Sequence, residues 1–201
     1  MLPLAPALLT FLYHTRQAVT HPRIQGFLTA ERTAAPTVPL GVAGFCWGGL
    51  HAILLTHDVP RNSVALADGT VRPLIDCAFT AHPSLVSVPG DFNGVVRPLS
   101  VANGDDDQYM ASDKMKVVMG ILEGKEKEAG GAGRYQVVVY PGAKHGFAVR
   151  GDRADPLQRE RGEKSEEQAV SWFRRWFGEP ADRAVGGDTA SADGGGGGEA
   201  A

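Results

Sequence analysis

The chain has 201 residues, enough for one domain with a sizeable core but not comfortably for two. Its hydrophobic fraction of 43% and charged fraction of 21% are those of an ordinary globular protein, and a formal net charge of −3 gives no electrostatic case for a nucleic-acid partner. Two cysteines, Cys46 and Cys77, are too few for a disulfide framework, so both are read as reduced thiols of a cytoplasmic protein.

The apolar start, Met1 to Leu12, carries two prolines and no basic residues, and it is shorter than the ~20 residues that span a bilayer. We expect a helix packed on the domain rather than a targeting signal, and no membrane partner. Val38 to Phe45 is a short apolar run without helical period and reads as a buried parallel strand. Cys46-Trp47-Gly48-Gly49 follows, and Leu50 to His57 reads as a helix with Leu50, Ile53 and Leu54 on one face, stopped by Pro60.

Ile75 to Thr80 reads as a second strand, ended by His82-Pro83-Ser84, and Leu99 to Ala102 as a third, left through Asn103-Gly104. Met110 to Lys127 is helical, with Val117, Val118, Ile121 and Leu122 as its apolar face, and Gly130 to Gly133 ends it. Tyr135 to Tyr140 is β-branched and aromatic and is the clearest strand. A last helix is expected from about Lys164 to Phe177, with Ala169, Trp172, Phe173 and Trp176 on one face. Strands alternating with helices predict an α/β fold, a mostly parallel sheet with helices on both faces. The domain is expected over residues 1–180. Residues 181–201, with a five-glycine run, hold too little apolar surface to offset their ordering entropy and are expected to be a disordered tail.

Gly44-Phe45-Cys46-Trp47-Gly48-Gly49 fits a nucleophile elbow with cysteine at its tip. The chain must turn sharply from strand to helix there, and small residues two before and two after the tip let the two approach. The sulfur then sits at a helix N-terminus, where partial positive charge favours thiolate. The backbone N–H of Trp47 points where an oxyanion would form. Partners for Cys46 are expected downstream, each just after a strand. Asp105, Asp106 and Asp107 follow the third strand, and His145 sits on a glycine-flanked loop after the strongest one, where it can act as a general base. His82 follows a strand and could line the same edge, although a turn residue before proline is the plainer reading. His14, His21, His51 and His57 lack such a context.

Taken in order, Gly-Phe-Cys-Trp-Gly-Gly at 44–49, Ala81-His82-Pro83-Ser84, Arg97-Pro98-Leu99-Ser100 leading to an Asp-Gln turn, Lys144-His145-Gly146-Phe147 and Glu167-Gln168-Ala169-Val170-Ser171-Trp172-Phe173 are similar to the dienelactone hydrolase family. The likeness is to its fungal members, spans roughly residues 20–178, and implies an α/β-hydrolase fold. It further implies a Cys–His–Asp triad that hydrolyses a small ester or lactone with no metal or organic cofactor. Carried over residue by residue, Cys46 is the nucleophile and His145 the base. Asp107, which opens Asp-Gln-Tyr-Met, is the preferred acid, with Asp106 and Asp105 as fallbacks. His82 and Arg150 are candidate substrate contacts, although Arg150 lies one residue further from the histidine than the family pattern places its arginine.

The same resemblance implies that the sheet's first strands, and the loop supplying a second oxyanion donor, are missing ahead of the elbow. The N-terminal residues are therefore expected to contribute helix but no strand. The chain alone is then expected to associate or express poorly and to turn over weakly. A thioesterase or broad esterase, and an impaired fragment with a binding or regulatory role, stand as alternatives. The oligomeric state is left open.

Overall fold

A computed structural model of the protein describes residues 9–11, 13–152 and 154–178. The expectations for residues 1–8 and for the tail from 181 lie outside the described residues. Where the apolar start is described it is helical, and there Leu9, Phe11 and Tyr13 are more than half exposed.

The first long helix, α1 (Gln17–Ala34), presents little apolar surface and is held by buried polar anchors instead. The Arg32 side chain is 1% exposed; its guanidinium lies 2.6 Å from the Asp76 carboxylate and donates to the Val38 carbonyl. Asp76 also accepts from the Leu40 N–H, so one ion pair ties α1 to the entries of two strands. Nearer its start, Gln25 donates to Asn62, which in turn donates to the carbonyls of Leu54 and His57.

Then come β1 (Gly41–Phe45) and α2 (Trp47–Leu55), a turn at Pro60–Asn62, and a small antiparallel hairpin of β2 (Ser63–Ala65) and β3 (Val71–Pro73). β4 (Cys77–Ala81), the four-residue helix α3 (Gly90–Asn93), β5 (Leu99–Asp106) and α4 (Ser112–Glu128) follow. β6 (Tyr135–Lys144), the short α5 (Phe147–Arg150) and α6 (Pro156–Phe177) complete the described chain.

β1, β4, β5 and β6 form one all-parallel sheet in that order, with Gly41 opposite Cys77, Ala78 opposite Leu99 and Leu99 opposite Tyr135. Its two faces carry separate cores, as the period of two demands. Ala78 and Val101 meet Leu28 of α1, Ile53 of α2 and Val118 of α4 on one side. Cys77, Phe79 and Ala81 meet Trp172, Phe173 and Trp176 of α6 on the other. A polar chain fastens α6 to the sheet: Tyr140 donates to Gln168, which donates to Ser100, which donates to Gln136.

The predicted α/β architecture is the observed one, and among the described residues no strand precedes β1. The hairpin, α3 and α5 escaped the sequence, and β5, β6 and α6 run longer than expected. α6 begins at Pro156 because Asp155 caps it, accepting from the N–H groups of Leu157 and Gln158. Among the described residues no helix is long and apolar enough to cross a membrane.

Candidate active site

A parallel sheet points all its strands one way, and the loops leaving their C-terminal ends share one rim, where open α/β sheets place their ligands. Here the loops after β1, β4, β5 and β6 bring Cys46, His82 with Ser84, Asp107 and His145 into one cluster.

Cys46 stands at the junction of β1 and α2 with φ 52 and ψ −117, a left-handed conformation that a side chain rarely adopts. Three backbone hydrogen bonds hold it there: Cys46 N–H to the Ala81 carbonyl, and the N–H groups of Gly49 and Ser84 to the Cys46 carbonyl. The turn demands glycine on the sheet side. A Cβ at Gly44 would lie 2.4 Å from the Gly48 carbonyl oxygen, and one at Gly49 2.5 Å from Thr80 and 2.6 Å from Pro83. At Gly48, two after the tip, a Cβ would meet nothing within 4 Å, so the need for glycine on the helix side falls on Gly49 rather than on Gly48 as the motif suggested.

The Cys46 Sγ lies 3.0 Å from His145 Nε2, and His145 Nδ1 lies 2.9 Å from Asp107 Oδ2. The other carboxylate oxygen of Asp107 accepts from the Tyr109 N–H at 2.8 Å and the Met110 N–H, so the backbone sets which oxygen faces the ring. Asp107 is fully buried at its side chain and His145 is 10% exposed. Asp105 instead accepts from the Gly142 N–H, and Asp106 is an exposed residue paired in register with Lys144. The structure thus brings Cys46, His145 and Asp107 together and leaves Asp105 and Asp106 outside the cluster.

Burial pushes the Cys46 thiol up, but hydrogen bonds with His145, the Ser84 hydroxyl and the Trp47 N–H, and then the charge of His145, outweigh it. The thiol ends below its ordinary value. The Trp47 N–H is directed at the sulfur, which helps to hold the thiol down. The Trp47 indole packs edge-on to His51, which pairs with His21 through their Nδ1 atoms at 3.2 Å.

His82, expected as a substrate contact, is fully buried at φ 40 with its ring centroid 5.0 Å from that of His145. It backs the base and lines no open surface. Neither of its ring nitrogens has a hydrogen-bond partner. Burial, reinforced by the charge of His145, pushes it down to about 4 and keeps the ring neutral. Arg150 is exposed on α5, beside a cavity of about 280 Å³ that also borders His145, Gln158 and Arg161.

Two neighbours of the cluster were not picked out in the sequence as site residues. Tyr109 sets its ring edge-on over His145, centroids 4.5 Å apart. Ser84 brings its Oγ to 3.7 Å from Cys46 Sγ. The signal for Ser84 was its place just after a strand, the same place that singled out Asp107 and His145. Among the described residues no group of three or more His, Cys, Asp or Glu side chains is arranged to hold a metal ion.

Comparison with known proteins gives the same architecture a family. The model of the dienelactone hydrolase family matches residues 12–177. The hydrolase tropI of Talaromyces stipitatus is 28% identical over 156 residues, covering 78% of this chain and 53% of that protein. The hydrolase pyvD of Aspergillus violaceofuscus is 25% identical over 158 residues, covering 79% of this chain and 56% of that protein. The chain therefore spans about half the length of these curated relatives. Among solved structures, a thermophilic esterase of Thermogutta terrifontis, Est2, with butyrate bound, shares the fold with a TM-score of 0.56. It is 18% identical, and the match covers 82% of this chain and 67% of that one.

Proposed function

The chain belongs to the dienelactone hydrolase family, a family of hydrolases, and from that premise we propose that it cleaves a small carboxylic ester or lactone through a thioacyl-enzyme on Cys46. The observation that carries this reading is the unbroken line from sulfur to imidazole to buried carboxylate, 3.0 and 2.9 Å per step.

The Cys46 thiol passes its proton to His145 Nε2, the thiolate attacks the carbonyl carbon to form a C–S bond, and the carbonyl oxygen takes up the negative charge, which the Trp47 N–H is proposed to stabilise. As that charge returns, the C–O bond breaks and His145 gives the leaving oxygen a proton. Water then loses a proton to His145, its oxygen attacks the thioester carbon, and the C–S bond breaks with its electron pair on sulfur. Asp107 holds the ring so that Nε2 faces the reacting atoms throughout. No step calls on a cofactor. Two free thiols support a cytoplasmic setting.

The test is a panel of small esters, thioesters and lactones, assayed with wild type, Cys46→Ala and Asp107→Asn. Turnover is expected to fall roughly 10³-fold or more in Cys46→Ala and 10²–10⁴-fold in Asp107→Asn. Turnover that survives Cys46→Ala would refute the reading. Preference for thioesters would move the substrate class to a thioesterase. Binding of the panel without turnover would favour a binding role.

A further inference from the structure

The sulfur of Cys46 is surrounded by more than a triad requires. Ser84 follows β4 and is 6% exposed, so its hydroxyl is largely shut off from water. Its N–H donates to the Cys46 carbonyl at 3.0 Å, which ties the turn after β4 to the elbow, and its Oγ sits 3.7 Å from Sγ. A buried hydroxyl must spend its proton on an acceptor. A thiolate can only accept, so once the sulfur is charged the direction of this contact is fixed.

Resting on the reading of Cys46 as nucleophile, we propose that Ser84 is a further catalytic residue, whose hydroxyl donates to the Cys46 sulfur whenever that sulfur carries negative charge and so helps expel it from the acyl-enzyme. The sulfur is charged twice in the cycle, before attack and on leaving the second tetrahedral intermediate. In between, as a thioester, it is neutral and accepts hydrogen bonds poorly. A donor fixed on sulfur therefore favours the free thiolate over the thioester. It tempers the nucleophile slightly in the first half-reaction and improves the leaving group in the second. In the second, the C–S bond breaks, its electron pair passes to sulfur, and the Ser84 hydroxyl is in place to receive the new charge with no proton changing hands.

Hydrogen bonds to charged groups are the strong ones, so the effect of losing this one is large enough to measure. In Ser84→Ala the pH at which Cys46 is half-alkylated by iodoacetamide is expected to move up. During turnover of p-nitrophenyl acetate the acetyl-enzyme should accumulate, seen as added mass on the intact protein. The rate constant kcat should fall roughly tenfold or more while kcat/KM changes less. Ser84→Thr should restore wild-type behaviour on all three measures, whereas Ser84→Val, of the same shape without the hydroxyl, should not; this pair decides the matter if the alanine variant does not fold. An unmoved alkylation midpoint in a folded Ser84→Ala overturns the proposal, with or without turnover to observe. If wild-type turnover survives Cys46→Ala, the nucleophile reading has failed instead, and the two failures are told apart by that control.

Discussion

At Cys46 the backbone is held where a residue with a Cβ costs on the order of 1–3 kcal/mol, and the three hydrogen bonds around it supply the restraint. That strain buries the sulfur only partly and aims it at His145, whereas Cys77 lies flat in a fully buried strand. Burial, with the charge of Asp76, pushes the Cys77 thiol up to about 12, while Cys46 lies below the ordinary thiol value. Thiolate is the reacting form, and its fraction rises as pH climbs towards the thiol's own value. Cys46 should therefore alkylate faster than an ordinary thiol at a given pH below the usual thiol value, and lose reactivity as pH falls through its own lowered value. Cys77 should stay protonated and inert throughout that range. Iodoacetamide labelling of native protein with peptide mapping checks this, and equal labelling of both thiols would contradict it.

Among the elements, the β1–α2 corner shows how finely the packing discriminates between adjacent glycines. A methyl group at Gly49 runs into Thr80 and the Pro83 backbone, and neither can retreat without shifting β4 or the turn after it. Gly49→Ala is expected to destabilise by roughly 1–3 kcal/mol, the usual cost of overpacking. Gly48→Ala has open space and gains helix propensity, so it should be neutral or stabilising by up to about 1 kcal/mol. Urea unfolding of the two variants is the measurement; equal losses would show that the corner is not packed as described. The sequence carried the elbow and the strand–helix alternation, because glycines at a turn and apolar periods are local signals. It carried the wrong glycine, because the obstacle at Gly49 lies more than 30 residues away in β4 and Pro83. The hairpin of β2 and β3 was illegible for another reason: three-residue strands with partly exposed side chains show no alternation to read. The first half of α6 was hidden by its charges, since Pro156 to Glu163 lacks an apolar face and is started by the Asp155 cap with Pro156 at the first position. Apart from the family resemblance, which preferred Asp107, the acid was legible only to within a run of three aspartates. Which of them meets His145 depends on where β5 stops and the Tyr109 and Met110 N–H groups begin to bind carboxylate.

Across the whole molecule, the sheet has two edges, β1 and β6, and on β1 no strand lies outside it among the described residues, which leaves backbone groups open to pairing. The cluster draws on every strand between those edges: Cys46 follows β1, Ser84 β4, Asp107 β5 and His145 β6. The sulfur and the imidazole that meet at 3.0 Å are 99 residues apart in the chain. No local segment contains the chemistry, so its appearance is tied to the order of assembly. Contacts of such separation close late, after loop entropy has been overcome by nearer pairings. The nucleophile's reactivity becomes a clock for the last strand to dock. In refolding from urea, rapid alkylation of Cys46 should return no earlier than the slowest phase in tryptophan fluorescence, because Trp172 and Trp176 pack on strands that are comparably distant in the chain. Fast alkylation regained before that phase would mean that the elbow alone, without β6, activates the thiol.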